Sequence, residues 1–342
     1  MRGMALLEVG GREQLDCFDE EEDRVNAGPF LKWAGGKAAI APRLASLLPR
    51  DTLARPYREP FLGGGAMFFY LQPKRAFLSD AIAALISTYQ VVQSHADALI
   101  HHLHGLSATH CTEQFYRIRA RFNDERDAPR IERAAWLIYL NKTCFNGLFR
   151  TNKSGEYNVP AGRFKNPRVC DPTKLHLAAA VLGRAEIKHA QFDHLLEEAQ
   201  PGDIIYLDPP YDPISRTASF AAYSDGAFSR EDQMRLAKVY RILDQRGCLL
   251  ALSNSDTPLV RELYAGDLRT LKGFALMHKT GPSGPTGEGW YWYEIFGTGP
   301  DAEPTVAAVA STSAGHAAAA PSNPKPSFAK PICGWIANRP SP

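Results

Sequence analysis

The stretch "YREPFLGGGAMFFYL" (Tyr57–Leu71), followed by "AFLSD" (Ala76–Asp80), constrains the fold more than any other part of the chain. A short strand runs into three consecutive glycines, Gly63 to Gly65. An apolar helix follows, and a second short strand ends on an acid. Strand, glycine loop, helix, strand, acid is the order of a nucleotide-type βαβ unit, and the 17 residues from Gly63 to Asp80 approach the roughly 20 expected between loop and ribose-binding acid. Upstream, "FLKWAGGKAAI" (Phe30–Ile40) reads as a glycine turn leading into a helix through Leu47. It is not a P-loop, because no glycine lies five before Gly36 and Ala38 stands where a hydroxyl residue is needed.

A second constraint is "DIIYLDPPY" (Asp203–Tyr211). Ile204 to Leu207 form a short, β-branched apolar run bounded by Gly202 and by prolines, the pattern of a buried strand. Asp208 therefore sits at the carboxyl end of that strand, the edge where open α/β sheets bind ligands, and Pro209 and Pro210 stiffen the backbone beside it. An amphipathic helix follows at about Arg230 to Gln245, then a strand "CLLALS" leading to Asn254 and an aromatic strand "WYWYEIF" (Trp290–Phe296). From about His95 to Asp171 the α/β rhythm is interrupted by helical periodicity. "FNGLFRTNKSGEYNVPAGRF" within it, with Asn-Gly and Ser-Gly pairs, suggests hairpin-like loops.

Charge is unevenly spread. Met1 to Ala27 holds three basic and eight acidic residues, including "DEEED" at Asp19 to Asp23, and reads as a solvated leader. Phe115 to Arg168 holds twelve basic against five acidic residues, interleaved with aromatics, so an anionic partner is expected there. Beyond Gly299 the chain is rich in Ala, Pro and Ser and reads as disordered. The six cysteines are scattered without a CxxC pair, which argues against a zinc site or a disulfide framework. "HHLHGLSATHC" (His101–Cys111) has no zinc spacing and is taken as part of a helix, so no metal is expected. No apolar run approaches the roughly 20 residues that span a bilayer, and no secretory signal is visible; a cytoplasmic protein is the expectation.

Taken in order, "FLKWAGGK", "EPFLGGG", the acid after "AFLS", the basic insertion and "DPPY" resemble the Dam-type, or D12 class, DNA adenine N6-methyltransferases over about Phe30 to Phe296. The resemblance implies a Rossmann-like S-adenosylmethionine-dependent methyltransferase sheet, of α/β class, with an inserted, mainly helical target recognition domain containing a hairpin. The implied division is a leader at 1–27, a catalytic domain at 28–94 and 173–298, the recognition domain at 95–172 and a tail at 299–342. It places S-adenosylmethionine against Trp33, Lys37, Phe61, Gly63, Gly65, Asp80 and Asp208. The catalytic set is Asp208, Pro209, Pro210 and Tyr211. Double-stranded DNA would meet Lys32, Asn146, Leu148, Arg150, Pro160 and Arg163, possession of GATC as the target being a further implication of the hairpin.

Chemistry supports the same assignment. The exocyclic amine of adenine is a poor nucleophile because its lone pair is delocalised. Asp208 and the Pro209 carbonyl can accept its two hydrogens and favour the pyramidal amine, without Asp208 removing a proton first. Tyr211 can stack on the base, which must be flipped out of the duplex to arrive. An amino-methyltransferase acting on cytosine N4 or RNA stays open as a second reading, and an inactive nucleic-acid-binding relative as a third. A monomer is expected, with a cognate restriction endonuclease as a conceivable partner. The chain departs from the family in "HKTGPSGPTGEGWYWYEIF", where Lys279 is nearly alone in a loop that is commonly basic.

Overall fold

A computed structural model describes residues 24–46, 48–49, 51–213, 228–255 and 257–265, together with the backbones of four further strands. Five parallel strands form its centre: β1 (Tyr57–Glu59), β2 (Ala76–Asp80), β3 (Ala185–His189), β4 (Ile204–Leu207) and β5 (Leu249–Ser255), side by side in the order β3-β2-β1-β4-β5. Parallel strands covered by helices are buried on both faces, and β1 and β4 are buried at every position, β4 with apolar residues and Tyr206, β1 with Tyr57, Arg58 and Glu59. In β4, Ile204 and Tyr206 join one core cluster while Ile205 and Leu207 join the other. That is the alternation of a strand between two helical layers. From β1 the chain steps outward to β2 and β3, then restarts with β4 on the opposite side of β1. The order thus reverses between β1 and β4, which opens a crevice at their carboxyl ends.

The helices are α1 (Ala41–Ser46), α2 (Ala66–Leu71), α3 (Ala83–Ser94), α4 (Ala96–Ala108), α5 (Thr112–Asp124), α6 (Arg130–Thr143), α7 (Pro172–Leu182), α8 (Leu195–Glu198), α9 (Arg230–Arg246) and α10 (Pro258–Leu263). Every residue of α6 from Ala134 to Asn141 is buried, as expected of a helix surrounded by others, and α3, α4 and α5 all pack against it. The segment between β2 and β3 also shares packing with the sheet. Its Leu99, Phe115 and Trp136 belong to the same core cluster as Tyr57 and Leu78 of the sheet. After α6 the chain doubles back as a hairpin. Antiparallel bridges join Cys144 to Ala161 and Thr151 to Tyr157, and Asn158 N donates to the Arg150 carbonyl at 3.1 Å. On the other face, α9 starts with a capping box formed by Ser229 and Asp232 and stops at Gly247, where φ is +91°.

Two expectations are modified. Residues 1–23 of the acidic leader lie outside the described residues, but 24–27 are anchored: Arg24 donates to the Tyr70 carbonyl, and Gln72 pairs with both backbone groups of Val25 at 2.7 and 3.2 Å. The segment beyond Gly299 holds two strands, β8 (Thr305–Val309) and β9 (Ile332–Ile336), where composition suggested none. Short apolar runs, "TVAAV" and "ICGWI", are diluted there by the surrounding Ala, Pro and Ser. β9 lies antiparallel between β5 and β6 (Phe274–Lys279), followed outward by β7 (Trp290–Phe296) and β8.

Candidate active site

Three strands bring three carboxylates to the crevice: Glu59 ends β1, Asp80 ends β2, and Asp208 follows β4 by one residue. The glycine loop fills the turn from β1 to α2. Asp80 Oδ2 holds it by accepting from Gly63 N, while Oδ1 accepts from Ile82 N in the turn after β2, each at 3.0 Å. Burial pushes the Asp80 carboxyl above its usual range, and those backbone donors pull it part of the way back. Gly63 lies at φ +48°, and a Cβ there would come within 2.8 Å of Trp33 Cδ1. Only glycine lets the loop pass under the indole.

Asp208 carries the most informative geometry. Its Oδ2 accepts from Lys37 Nζ at 2.8 Å, and Lys37 also donates to the Gly35 carbonyl at 2.7 Å. Its buried Oδ1 has no hydrogen-bond partner among the described residues. Buried acceptors are rarely left unmatched, so an orphaned carboxylate oxygen at a crevice suits an incoming N–H. Burial pushes the Asp208 carboxyl upward, while the Lys37 charge and hydrogen bonds from Lys37 and Tyr211 oppose that push. Lys37 Nζ also lies 4.8 Å from the centroid of the Tyr211 ring. One ammonium thus orders both the acid and the aromatic.

Several contributors were not evident from the sequence. Glu59 is buried, its Oε2 accepting from the Tyr57 hydroxyl at 2.8 Å and Phe68 N at 3.1 Å. Burial pushes its carboxyl up to about 8, opposed by the Tyr57 hydrogen bond and reinforced by the Asp208 and Asp80 charges. An acid at the end of a strand just before the glycine loop was the available signal. Gln233 and Asn254 brace the proline turn: Gln233 Nε2 donates to the Pro210 carbonyl at 3.0 Å, Asn254 Nδ2 to Gln233 Oε1 at 2.9 Å, and Asp212 N to Asn254 Oδ1 at 3.3 Å. Pro209 is buried beneath this network and Pro210 is exposed above it. Phe61 stacks on Phe192 at 5.5 Å and meets the edge of Phe228 at 5.7 Å, forming an aromatic wall.

Trp33 joins the site to the hairpin by stacking on Phe149, with centroids 5.6 Å apart and planes 19° from parallel. Lys32 places Nζ 4.6 Å from the Phe164 ring centroid. At the hairpin, Asn146 is exposed with φ +54°, and the neighbouring Phe145 is 52% exposed. Leu148 is half-buried, and its carbonyl accepts from the Tyr157 hydroxyl at 3.1 Å. Arg150 is exposed, with Nε donating to Asn158 Oδ1 at 2.7 Å. Pro160 and Arg163 are exposed, the Pro160 carbonyl accepting from Phe145 N at 2.9 Å. Among the described residues no group of His, Cys, Asp or Glu could hold a metal ion, and no helix is long and apolar enough to cross a membrane.

A model of the D12 class N6 adenine-specific DNA methyltransferase family matches residues 33–280, from Trp33 through the glycine loop and Asp208. The chain belongs to that family. This D12 class methyltransferase is 41% identical over 254 residues to a type II methyltransferase of Methanocaldococcus jannaschii, covering 70% of this chain and 88% of the relative. It is 37% identical over 248 residues to a type II methyltransferase of Lactococcus lactis, covering 71% and 87%. Against the DNA adenine methylase of Escherichia coli K12 the identity is 36% over 237 residues, covering 69% and 83%. The matched span holds the whole parallel sheet, so family membership and the crevice concern the same part of the chain.

Proposed function

We propose that this D12 class methyltransferase transfers a methyl group from S-adenosylmethionine to the N6 amine of an adenine flipped out of double-stranded DNA, with GATC as its site. The observation that carries the reading is the buried Oδ1 of Asp208, unpartnered among the described residues, at the switch point of the sheet. It can accept one amine hydrogen while the Pro209 carbonyl accepts the other, holding the nitrogen lone pair away from the ring. Lys37, paired to Oδ2, favours the charged carboxylate that this task needs. Tyr211 would stack on the base, and the Gln233–Asn254 brace supports the turn that carries it.

The residues present fit the cofactor. A methyl sulfonium supplies the electrophilic methyl group when bound, and a cation is suited to a crevice edged by the Asp80 and Asp208 carboxylates. Each Asp80 oxygen retains a lone pair for a ribose hydroxyl after its backbone bond. Gly63 and Gly65, at φ +48° and +67°, permit close approach of the loop. Phe61, beside Phe192 and Phe228, offers an apolar face for a purine ring.

DNA enters the reading through the hairpin and its basic surroundings. Lys32, Arg150 and Arg163 supply charge, Asn146 and Pro160 are exposed along the same hairpin, and Leu148 supports it from below. The exposed ring of Phe145 can stack on an unstacked base. The GATC assignment rests on the resemblance of this hairpin to that of Dam-type enzymes. To test the reading, the purified chain is incubated with S-adenosylmethionine and plasmid DNA, and the nucleosides are resolved by mass spectrometry. N6-methyladenine confined to GATC is expected; N4-methylcytosine, or no methylated base, overturns the reading, and N6-methyladenine elsewhere overturns the site.

A further inference from the structure

Asn141 has a role that neither the cofactor crevice nor the exposed hairpin surface accounts for. It lies in the last turn of α6 and is 3% exposed. Its Oδ1 accepts from Lys32 N at 2.8 Å, while Nδ2 donates to the Lys32 carbonyl at 2.7 Å and to the Gly147 carbonyl at 3.1 Å. One planar amide therefore satisfies both backbone groups of the first motif and one of the hairpin. Aspartate of the same size has no donor for the two carbonyls, and a shorter side chain reaches neither.

The junction that this amide closes has no slack. Gly147 lies at φ +63°, and a Cβ there would fall 2.5 Å from Lys32 Cβ. Lys32 begins a segment whose next residue, Trp33, touches Phe149 of the hairpin and the glycine loop, and whose Lys37 holds Asp208 at 2.8 Å. The segment 32–37 thus touches the hairpin at one end and the reacting centre at the other.

We propose that Asn141 is a positioning residue that keeps the target hairpin in register with Asp208, so that discrimination between target sites during methyl transfer depends on it. The inference rests on the methyltransferase reading above. When the amide is removed, the hairpin and the first motif keep the Trp33–Phe149 stack but lose the backbone hydrogen bonds that fix their register. Engagement of a correct site then no longer aligns the carboxylate better than engagement of a wrong one.

The test compares the full chain with Asn141→Asp and Asn141→Ala. Asn141→Asp keeps the oxygen that accepts from Lys32 N but turns a second acceptor toward two carbonyls. For each protein, kcat and KM are measured on a cognate duplex and on duplexes altered at one base pair, with cofactor Kd by calorimetry and folding by circular dichroism. In both variants kcat on the cognate duplex should fall about tenfold, the loss expected when buried backbone groups are left unmatched. The ratio of cognate to near-cognate kcat/KM should fall by a similar factor, with cofactor Kd within about threefold of the parent. A merely structural role lowers every rate alike and leaves that ratio unchanged. An unchanged ratio, or loss of folding in both variants, overturns the proposal. A parent chain that methylates no DNA overturns the functional reading and this inference together, whereas an active parent with unaltered ratios in the variants overturns the inference alone.

Discussion

Glu59 shows how a single buried acid can set the behaviour of the protein across pH. Burial, reinforced by the Asp208 and Asp80 charges and opposed by the Tyr57 hydroxyl, holds its proton in the folded state up to about 8. The unfolded chain releases that proton in the ordinary range, near about 4.3. Between those values the folded state binds more protons than the unfolded state, so this residue makes stability fall as pH rises and level off above about 8. Glutamine keeps the acceptor for the Tyr57 hydroxyl and has no proton to lose. Glu59→Gln should therefore gain in Tm relative to the parent as pH goes from acid to neutral, by about 2 to 4 °C for each kcal/mol involved. Calorimetric scans at several pH values check this, and parallel Tm curves for the two proteins would mean that Glu59 does not titrate in that window.

At the scale of elements, the strand–glycine loop–helix–strand unit and the strand before Asp208 were legible because their signals are local. β1, α2, β2 and β4 all lie where the apolar runs and glycines put them. The partners that finish the site were not legible, since Asn141 is 109 residues from Lys32 and Gln233 is 23 from Pro210. Such pairings follow from how the sheet folds back, and a polar residue on a helix or strand carries no sign of which backbone group it will meet. The strands β8 and β9 were not legible for a different reason: composition averaged over many residues hides five-residue apolar runs such as theirs. The hairpin yields its own prediction. Arg150 is exposed and held by Asn158, which leaves guanidinium donors for the O6 and N7 edge of a guanine. Arg150→Ala should lose about 1 to 3 kcal/mol of discrimination at one guanine and so methylate sites altered there relatively better than the parent does. Methylome sequencing distinguishes this from a phosphate contact, whose loss weakens all sequences alike.

Across the whole molecule, one continuous core supports both the sheet edge and the hairpin, and the reversal of strand order between β1 and β4 places Asp208 where the two can meet. The central claim is that the Oδ1 of Asp208, unpartnered among the described residues, holds the adenine amine for methyl transfer. The most direct measurement is the single-turnover rate of methyl transfer to a cognate duplex by Asp208→Ala, beside circular dichroism and DNA affinity. Because Asp208 follows a strand and is not part of the apolar core, the variant should fold and bind DNA as the parent does, while its rate drops by about 10² to 10³ or more, the scale of losing one preorganised group at a reacting centre. A folded Asp208→Ala protein that transfers methyl groups within a few-fold of the parent rate would contradict the account.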